Sequence, residues 1–213
     1  FHSQACLLVS SFLQEFVRAE VQNRSLREAC LHILTRGKML RATAALATLA
    51  TFQPTYRLDD AIHEVSSLEL VQTFSLIHDD LPAMDNASLR RGVPSVHVKF
   101  GEDTAVLAGD MLLCLAFKAI AEKASSPPRI KIELLVELAH ALRALIEGQA
   151  MDLALSHQKP DLEELKRMHW LKTARFITAS FSFGAILAEA GEAERKKVAV
   201  YATLIGQAYQ ARD

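Results

Sequence analysis

Three carboxylates and two guanidinium groups lie close together in an otherwise apolar part of the chain. The carboxylates belong to Asp79, Asp80 and Asp85, and the guanidinium groups to Arg90 and Arg91. Magnesium is usually held by one or two carboxylates together with substrate phosphates, and arginine presents a permanently charged fork that matches phosphate oxygens. The spacing therefore predicts a site that binds a diphosphate through Mg²⁺. The alternative is a solvated charged loop after a helix.

The segment before these acids has the pattern of a helix that ends at them. Apolar side chains recur at helical spacing over residues 61–77. Pro82 cannot continue the hydrogen bonding of that helix and disfavours the α conformation in the residue before it. An ideal helix advances about 100° per residue, which would point Asp85 about 120° away from Asp79. We therefore expect the chain to leave the helix between these two acids, so that both can bind one ion.

The composition is that of a globular protein. Of the 213 residues, 50% are hydrophobic and 23% are charged, and nothing marks a second domain, so we expect one domain over residues 1–213. The formal net charge of −1 provides no basic field for nucleic acid. No uninterrupted apolar run approaches the ~18 residues that span a bilayer, so we expect no membrane insertion. Cys6, Cys30 and Cys114 lie in apolar patterns and predict reduced core residues in the cytoplasm.

Helical periodicity dominates a chain that is rich in alanine and leucine. It predicts an all-α fold with helices over residues 4–20, 24–36, 37–50, 60–81, 102–123, 129–155, 161–189 and 193–211. Capping-box patterns that begin at Ser25 and Asp161 support two of these starts. The sequence begins at Phe1 without an initiator methionine and stops at Asp213 within a helical pattern. We therefore expect it to be a fragment that is shortened at both ends.

Several separate motifs resemble the trans-isoprenyl diphosphate synthases, and in particular the bacterial farnesyl diphosphate synthase type. They comprise residues 69–85, which contain the acidic motif, residues 89–94, which contain the arginine pair, and residues 107–110. The resemblance covers nearly the whole chain. It implies the isoprenoid-synthase fold, a bundle of antiparallel helices around a central cavity. It also implies a homodimer, although no stripe of the sequence can be assigned to an interface.

The resemblance implies a Mg²⁺-dependent prenyltransferase. Isopentenyl diphosphate would condense head to tail with an allylic diphosphate, dimethylallyl or geranyl, to give farnesyl diphosphate. The Mg²⁺ ligands would be Asp79 and Asp85 from the first acidic motif, which Asp80 completes, and Asp213 as the first carboxylate of a second motif. Proton loss from the condensed product would restore an allylic diphosphate.

The remaining family motifs supply the cations for the two diphosphates. Lys38 and Arg41 lie three residues apart, and therefore on one helical face. By resemblance, the residues for isopentenyl diphosphate are Lys38, Arg41, Gln72 and Arg91. By resemblance, the residues for the allylic diphosphate are Arg90, Lys172, Thr173 and Gln210. Asp152 lies in a further family element and supports either a metal or a buried cap.

Gln72 departs from the family pattern, which commonly has a histidine at this position. A neutral amide can donate a hydrogen bond, but it cannot carry the positive charge that histidine can carry. We therefore expect weaker binding of isopentenyl diphosphate, and a Gln72→His variant should have a lower KM for this substrate. An unchanged KM in steady-state assays would contradict the expectation. Met39 and Ala42 also replace the family's usual arginine and proline, which affects the local geometry around Lys38.

Phe74 is the residue expected to set the product length. It lies five residues before Asp79, roughly 7.5 Å nearer the start of the helix. In the family a bulky aromatic residue at this place forms the floor of the product cavity, which implies a fifteen-carbon product. The alternative is that Phe74 is an ordinary core residue.

Three other functions remain open from the sequence. The first is a geranylgeranyl or longer-chain diphosphate synthase. The second is a metal-dependent phosphohydrolase built on His78 and Asp79, with His63 or His32 as a further ligand. The third is a non-catalytic subunit of a synthase, for which Gln72 is the only indication.

Overall fold

The computed structural model describes residues 1–156 and 159–210, except for the side chains of residues 209 and 210. Within these residues the chain forms ten α-helices and one short hairpin, with a 3₁₀ turn at Leu58–Ala61 and π-helical segments at Ala119–Lys123 and Trp170–Ala174. The elements are α1 (His2–Glu20), α2 (Arg24–Leu34), α3 (Leu40–Phe52), α4 (Ile62–Asp79), β1 (Leu89–Arg90), β2 (Val93–Pro94), α5 (Val96–Phe100), α6 (Glu102–Lys118), α7 (Pro128–Leu155), α8 (Leu162–His169), α9 (Arg175–Leu187) and α10 (Glu192–Gln210).

The predicted all-α architecture is confirmed, with local differences that include the following. The predicted helix 37–50 begins only at Leu40, because Met39 adopts a left-handed conformation with φ of 47°. The predicted helix 161–189 contains a π-helical segment between α8 and α9. The hairpin and α5 were not predicted, since elements of two and five residues are too short to show a period.

Contacts divide the chain into two compact units. The first contains Phe1–Thr43 and Arg57–Ser125, and the second contains Ala44–Tyr56 together with the chain from Ser126 onward. The expectation of one domain over residues 1–213 stays a prediction.

Helix α4 forms the centre of the first unit and packs mainly against α6, with α1 and α2 also in contact. It is buried along most of its length, through apolar residues such as Val65, Leu68 and Ile77. Burial of each such side chain is worth about 1.5–3 kcal/mol. The acidic motif is therefore attached to the most firmly packed helix of this unit.

Helix α6 corrects the expectation about apolar segments. Glu102–Lys123 is long and apolar enough, at a mean hydropathy of 1.8, to cross a membrane by length and composition alone. Its charged residues interrupt the apolar run, so the sequence contains no uninterrupted apolar stretch of this length. A single helix of this kind is weak evidence for a membrane span, since core helices pass the same test, and 44% of its most apolar window is buried inside the protein.

The cysteines are free thiols, as predicted, but only one of them is a core residue. Cys30 is fully buried, and burial raises the pKa of its thiol to about 12. Cys6 is half-buried, and Cys114 is exposed on α6. The prediction of three core positions was wrong for Cys114, because this residue lies on a face of α6 that the described residues leave uncovered.

In the second unit, α7 packs against α8, α9 and the π-helical segment between them, and α9 packs against α10. Arg175 forms a two-point ion pair with Glu137, at 2.8 and 3.0 Å, which joins α9 to α7. Gly184 allows close approach of α9 to α3, since a Cβ there would overlap the carbonyl oxygen of Ala45. These contacts fix the helices that carry Asp152 and Lys172.

Candidate active site

The turn after α4 brings the first and last acids of the motif together. Helix α4 ends at Asp79, and the amide of Asp85 donates a hydrogen bond of 2.8 Å to the carbonyl oxygen of Asp79. Asn86 closes the turn, because its backbone amide donates a hydrogen bond of 3.1 Å to the carbonyl oxygen of Leu81. It adopts a left-handed conformation, φ 49°, which asparagine tolerates well. The predicted departure from the helix between the two acids is confirmed.

Asp80 has a different environment from its neighbours in the motif. Its side chain is only 1% exposed, and both carboxylate oxygens accept hydrogen bonds from Arg90. The Nε atom of Arg90 lies 2.9 and 3.1 Å from the two oxygens, and Nη2 lies 2.5 Å from one of them. Asp80 therefore holds Arg90 through both of its carboxylate oxygens.

Arg90 also lies in the field of all three acids of the motif. The hydrogen bond to Asp80 raises the pKa of the Arg90 guanidinium above its ordinary value, although burial opposes the shift. The charges of Asp79 and Asp85 raise it further. The site thus combines a buried ion pair, Asp80 with Arg90, and two further carboxylates beside it.

The donor set of the acidic motif suits a metal that is shared with a substrate. Among residues 1–156 and 159–210, no group of three or more His, Cys, Asp or Glu side chains could hold a metal ion by itself. Asp79 and Asp85 supply two carboxylates, and Asp85 is exposed. Two carboxylates, completed by water and substrate phosphates, fit the coordination that Mg²⁺ prefers.

A tight hairpin orients the two arginines. Arg90 pairs with Val93 across the strands, and the turn residues Arg91 and Gly92 both have positive φ, at 52° and 77°. Two such residues form the turn type that matches the twist of a two-residue hairpin. Because arginine in this conformation costs roughly 1–2 kcal/mol, contacts of its side chain must compensate.

The side chain of Arg91 caps the C-terminal end of α2. Its Nη1 atom donates to the carbonyl oxygens of Ile33 and Leu34, at 2.5 and 3.3 Å. Burial lowers the pKa of the Arg91 guanidinium, although the charge of Glu69 opposes the shift. The guanidinium also lies against Gly37, where a Cβ would come within 2.7 Å of it. Arg91 is therefore a neighbour of the loop that carries Lys38.

The predicted cations for isopentenyl diphosphate lie around the start of α3. Lys38 is exposed in the loop before the helix, and Arg41 is in the first turn. The backbone amides of Arg41 and Ala42 donate to one carboxylate oxygen of Glu69, at 3.0 and 3.1 Å. Sequence reasoning did not single out Glu69. The available signal was an acid in the middle of an apolar helix, where a charge needs a partner.

Phe74 and His78 pack together on α4. Their rings meet edge to face at 4.9 Å between centroids, and Phe74 is 8% exposed. The Nε2 atom of His78 lies 3.1 Å from the carbonyl oxygen of Val106, and a Cβ on Gly109 would overlap the imidazole. Phe74 is thus fixed one helical turn before the end of α4.

The histidines proposed for a phosphohydrolase site have other contacts. His78 bonds to the backbone of α6, His63 packs against the ring of Phe12, and His32 bonds to the carbonyl oxygen of Pro94 at 2.8 Å. None of them belongs to a metal-binding cluster in the described part of the chain. The structure gives the phosphohydrolase alternative no support.

His32 connects α2 to the hairpin and to α5. Because the carbonyl oxygen of Pro94 can only accept, the proton of the neutral imidazole is on Nε2, and Nδ1 accepts from Lys99 at 3.3 Å. Burial lowers the pKa of His32, and the charges of Lys99 and Arg36 lower it further, whereas the bond to Pro94 opposes the shift. The folded protein therefore favours the neutral form.

We expect the free energy of unfolding to fall as the pH drops below 6.5. The unfolded imidazole titrates near 6.5 and that of the folded protein at lower pH, so between these values the unfolded chain binds more protons. The contribution of His32 to the free energy of unfolding is complete above pH 6.5. It is lost as the pH falls towards the pKa of His32 in the folded state. Urea titrations on both sides of pH 6.5 measure it. A His32→Gln variant should show a weaker pH dependence, and an identical profile would contradict the assignment.

In the second unit, Lys172 donates to Asp152 at 2.5 Å, and both side chains are about one-third exposed or less. Lys172 and Thr173 lie in the π-helical segment Trp170–Ala174, a distortion that is frequent at functional sites. A Cβ on Gly148 would overlap the backbone nitrogen of Lys172. Glycine is therefore required for α7 to lie directly against the segment that presents Lys172.

The Polyprenyl synthetase family model matches residues 23–213. The chain belongs to the polyprenyl synthetase family. The predicted resemblance to the trans-isoprenyl diphosphate synthases and the all-α isoprenoid-synthase fold are both confirmed.

Relatives of this chain carry two kinds of name. The farnesyl diphosphate synthase of Bacillus subtilis (strain 168) is 37% identical over 194 residues, which are 89% of this chain and 65% of the relative. The geranylgeranyl diphosphate synthase of Cyanophora paradoxa is 40% identical over 182 residues, which are 83% of this chain and 60% of the relative. The chain thus spans less than two thirds of the length of either relative.

A solved structure of similar fold is the geranyltransferase of Helicobacter pylori, complexed with magnesium and isoprenyl diphosphate. It is 30% identical, with a TM-score of 0.86 over 98% of this chain and 72% of that one. Two of the predicted site residues of the polyprenyl synthetase, Asp213 and the side chain of Gln210, lie outside the described residues.

Proposed function

We propose that this polyprenyl synthetase condenses isopentenyl diphosphate head to tail with an allylic diphosphate, dimethylallyl or geranyl, and forms farnesyl diphosphate. The observation that carries the proposal is the turn after α4. It places Asp85 beside Asp79, while Asp80 is buried and holds Arg90. Two carboxylates for a metal and one cation for a phosphate thus come from a single turn and the hairpin that follows it.

Asp79 and Asp85, together with Asp213, are the residues that would hold Mg²⁺. When bound, Mg²⁺ would supply charge neutralisation for the diphosphate that leaves the allylic substrate. Asp80 is the one acid of the first motif that we assign to a different task, because both of its oxygens are used by Arg90.

Arg90 is proposed to bind the allylic diphosphate. Asp80 accepts from Nε and Nη2 of its guanidinium, which leaves the two N–H groups of Nη1 outside that pair. Lys172 has three donors, one of which goes to Asp152. Thr173 and Gln210 complete this proposed set. In each ion pair the acid fixes the direction of a cation whose remaining donors can meet phosphate oxygens.

The second diphosphate, that of isopentenyl diphosphate, is proposed to bind to Lys38, Arg41, Gln72 and Arg91. Lys38 is exposed, as a residue that receives a charged substrate must be. Arg91 is directed by the α2 carbonyl oxygens of Ile33 and Leu34 towards the loop that carries Lys38. The carbocation formed from the allylic substrate would need apolar walls, since water would otherwise trap it.

The product length is proposed to be fifteen carbons, because Phe74 is bulky, buried and held in place by His78. A Phe74→Ala variant is expected to make longer products, since it removes the floor one turn before the acidic motif. Product chromatography measures the chain lengths. Leu68→Ala, a buried change elsewhere on α4, serves as the control and should leave the product length unchanged. Products of parental length from Phe74→Ala would contradict the proposed floor.

The test of the proposed function is a product assay with radiolabelled isopentenyl diphosphate and Mg²⁺. Dimethylallyl, geranyl and farnesyl diphosphates are offered in turn as the allylic substrate. The proposal expects a fifteen-carbon product from the first two and no elongation of the third. A twenty-carbon product from farnesyl diphosphate would favour a geranylgeranyl synthase, a name that relatives also carry. No turnover with any of the three would overturn the proposal in favour of a non-catalytic subunit.

A homodimer and a cytoplasmic location stay predictions that accompany this proposal.

A further inference from the structure

Glu69 is a carboxylate in the middle of a buried helix, where a charge is costly without partners. Only 3% of the residue is exposed. Its Oε1 atom accepts hydrogen bonds from the backbone amides of Arg41 and Ala42, at 3.0 and 3.1 Å. These amides belong to the first turn of α3, whose N–H groups have no partner within their own helix. Glu69 therefore caps α3 from a helix that lies 27 to 28 residues away in sequence.

The residue before α3 cannot perform this task itself. The usual cap is a serine, threonine, aspartate or asparagine directly before the helix. Here that position is Met39, which has no hydrogen-bonding side chain of this kind and is buried with φ of 47°. The start of α3, and with it the backbone of Arg41, is thus fixed by a side chain of α4.

Glu69 also lies next to the other residues of this subsite. Gln72 follows it by three positions and shares its side of α4. The charge of Glu69 acts on Arg91, which holds the end of α2. The loop 35–39, which carries Lys38, is therefore fixed at its α3 end by Glu69 and at its α2 end by Arg91.

We infer that Glu69 is a positioning residue for the subsite of isopentenyl diphosphate, and that it acts by holding the start of α3 in register with α4. The inference rests on the proposed function. Glu69 acts through the backbone of α3, because its Oε1 atom accepts from the amides of Arg41 and Ala42. It sets where Arg41 and Lys38 stand relative to Gln72 and Arg91.

The effect of a Glu69 substitution on the KM values for the two substrates distinguishes a positioning role from a merely structural one. Loss of a helix cap typically costs about 1 kcal/mol, or roughly a fivefold change in an equilibrium constant. A structural role would lower stability and leave both KM values unchanged. A positioning role would raise the KM for isopentenyl diphosphate by about three- to tenfold and leave that for the allylic substrate within about twofold.

The experiment compares Glu69→Ala and Glu69→Gln with the parent protein. Glutamine keeps an acceptor oxygen at the same distance, so we expect it to retain most of the parental affinity, whereas alanine removes the cap. Ser66→Ala is the matched control, because Ser66 is buried on the same side of α4 and its hydroxyl has no partner among the described residues. Steady-state KM values for both substrates are measured, together with calorimetric binding of isopentenyl diphosphate alone.

A Glu69→Ala protein that folds and has the parental KM for isopentenyl diphosphate overturns the inference. An equal rise in the KM values of both substrates overturns it as well. Should the alanine variant fail to fold, Glu69→Asp replaces it, since the shorter side chain withdraws the acceptor without removing the charge. A parental KM in that variant overturns the inference as well. If the parent itself neither binds nor consumes isopentenyl diphosphate, it is the proposed function that fails, which the calorimetry shows separately.

Discussion

Replacement of Asp85 with asparagine is expected to lower kcat/KM by about 10²–10³-fold, the loss typical of removing one electrostatic stabiliser from a transition state. Asparagine at position 85 would remove the negative charge of the proposed metal ligand and keep nearly the same side-chain shape. Asp85 is exposed, and its backbone amide would still bond to Asp79, so stability should change by no more than about 0.5 kcal/mol. Steady-state kinetics over a range of Mg²⁺ concentrations measure the effect, and half-maximal activity should require more Mg²⁺.

Asp59→Asn is the control for this variant. Asp59 is an exposed acid whose carboxylate lies 3.9 Å from Arg57, and an exposed ion pair of this type contributes little to stability. The control should retain parental activity and the parental Mg²⁺ dependence. An Asp85→Asn protein with the same kcat/KM and the same Mg²⁺ dependence as the parent would remove the first motif from the proposed metal site.

Replacement of Arg90 with leucine is expected to destabilise the protein and to abolish most of its activity. It leaves the carboxylate of Asp80, which is 1% exposed, without its cation. Breaking a buried pair in this way costs about 3–5 kcal/mol. Since Arg90 itself is 28% exposed, we expect the lower end, about 3 kcal/mol. Urea unfolding measures the loss of stability, and kcat/KM measures the loss of a phosphate-binding cation.

A double variant, Asp80→Asn with Arg90→Gln, separates the two roles of this pair. It replaces both charges with amides that can bond to each other, so the uncompensated buried charge disappears and most of the stability should return. The activity should not return, because a neutral amide cannot replace the charge of the guanidinium. A double variant that recovers activity along with stability would show that the cation is not needed for the diphosphate.

The ion pair of Asp80 and Arg90 also offsets an unfavourable position of Asp80 at the end of α4. Carboxylates at the C-terminal end of a helix face its negative dipole, which costs roughly 0.3–1 kcal/mol each unless a cation is present. For Asp80 the cation is Arg90, supplied by the hairpin ten residues later. No rule of spacing could assign this partner, since it depends on the register of two-residue strands and on a turn with a left-handed arginine.

The sequence by itself determined the all-α class and the need for the chain to leave α4 between Asp79 and Asp85, and it predicted a metal site at the acidic motif. These follow from local causes, namely the period of apolar residues, the types of side chain, and a proline that a helix cannot continue. Only the tertiary structure decided that Asp80 is bound by Arg90 and that Glu69 caps α3. Both depend on contacts between elements that are distant or irregular in sequence, and such contacts are set by packing rather than by local pattern.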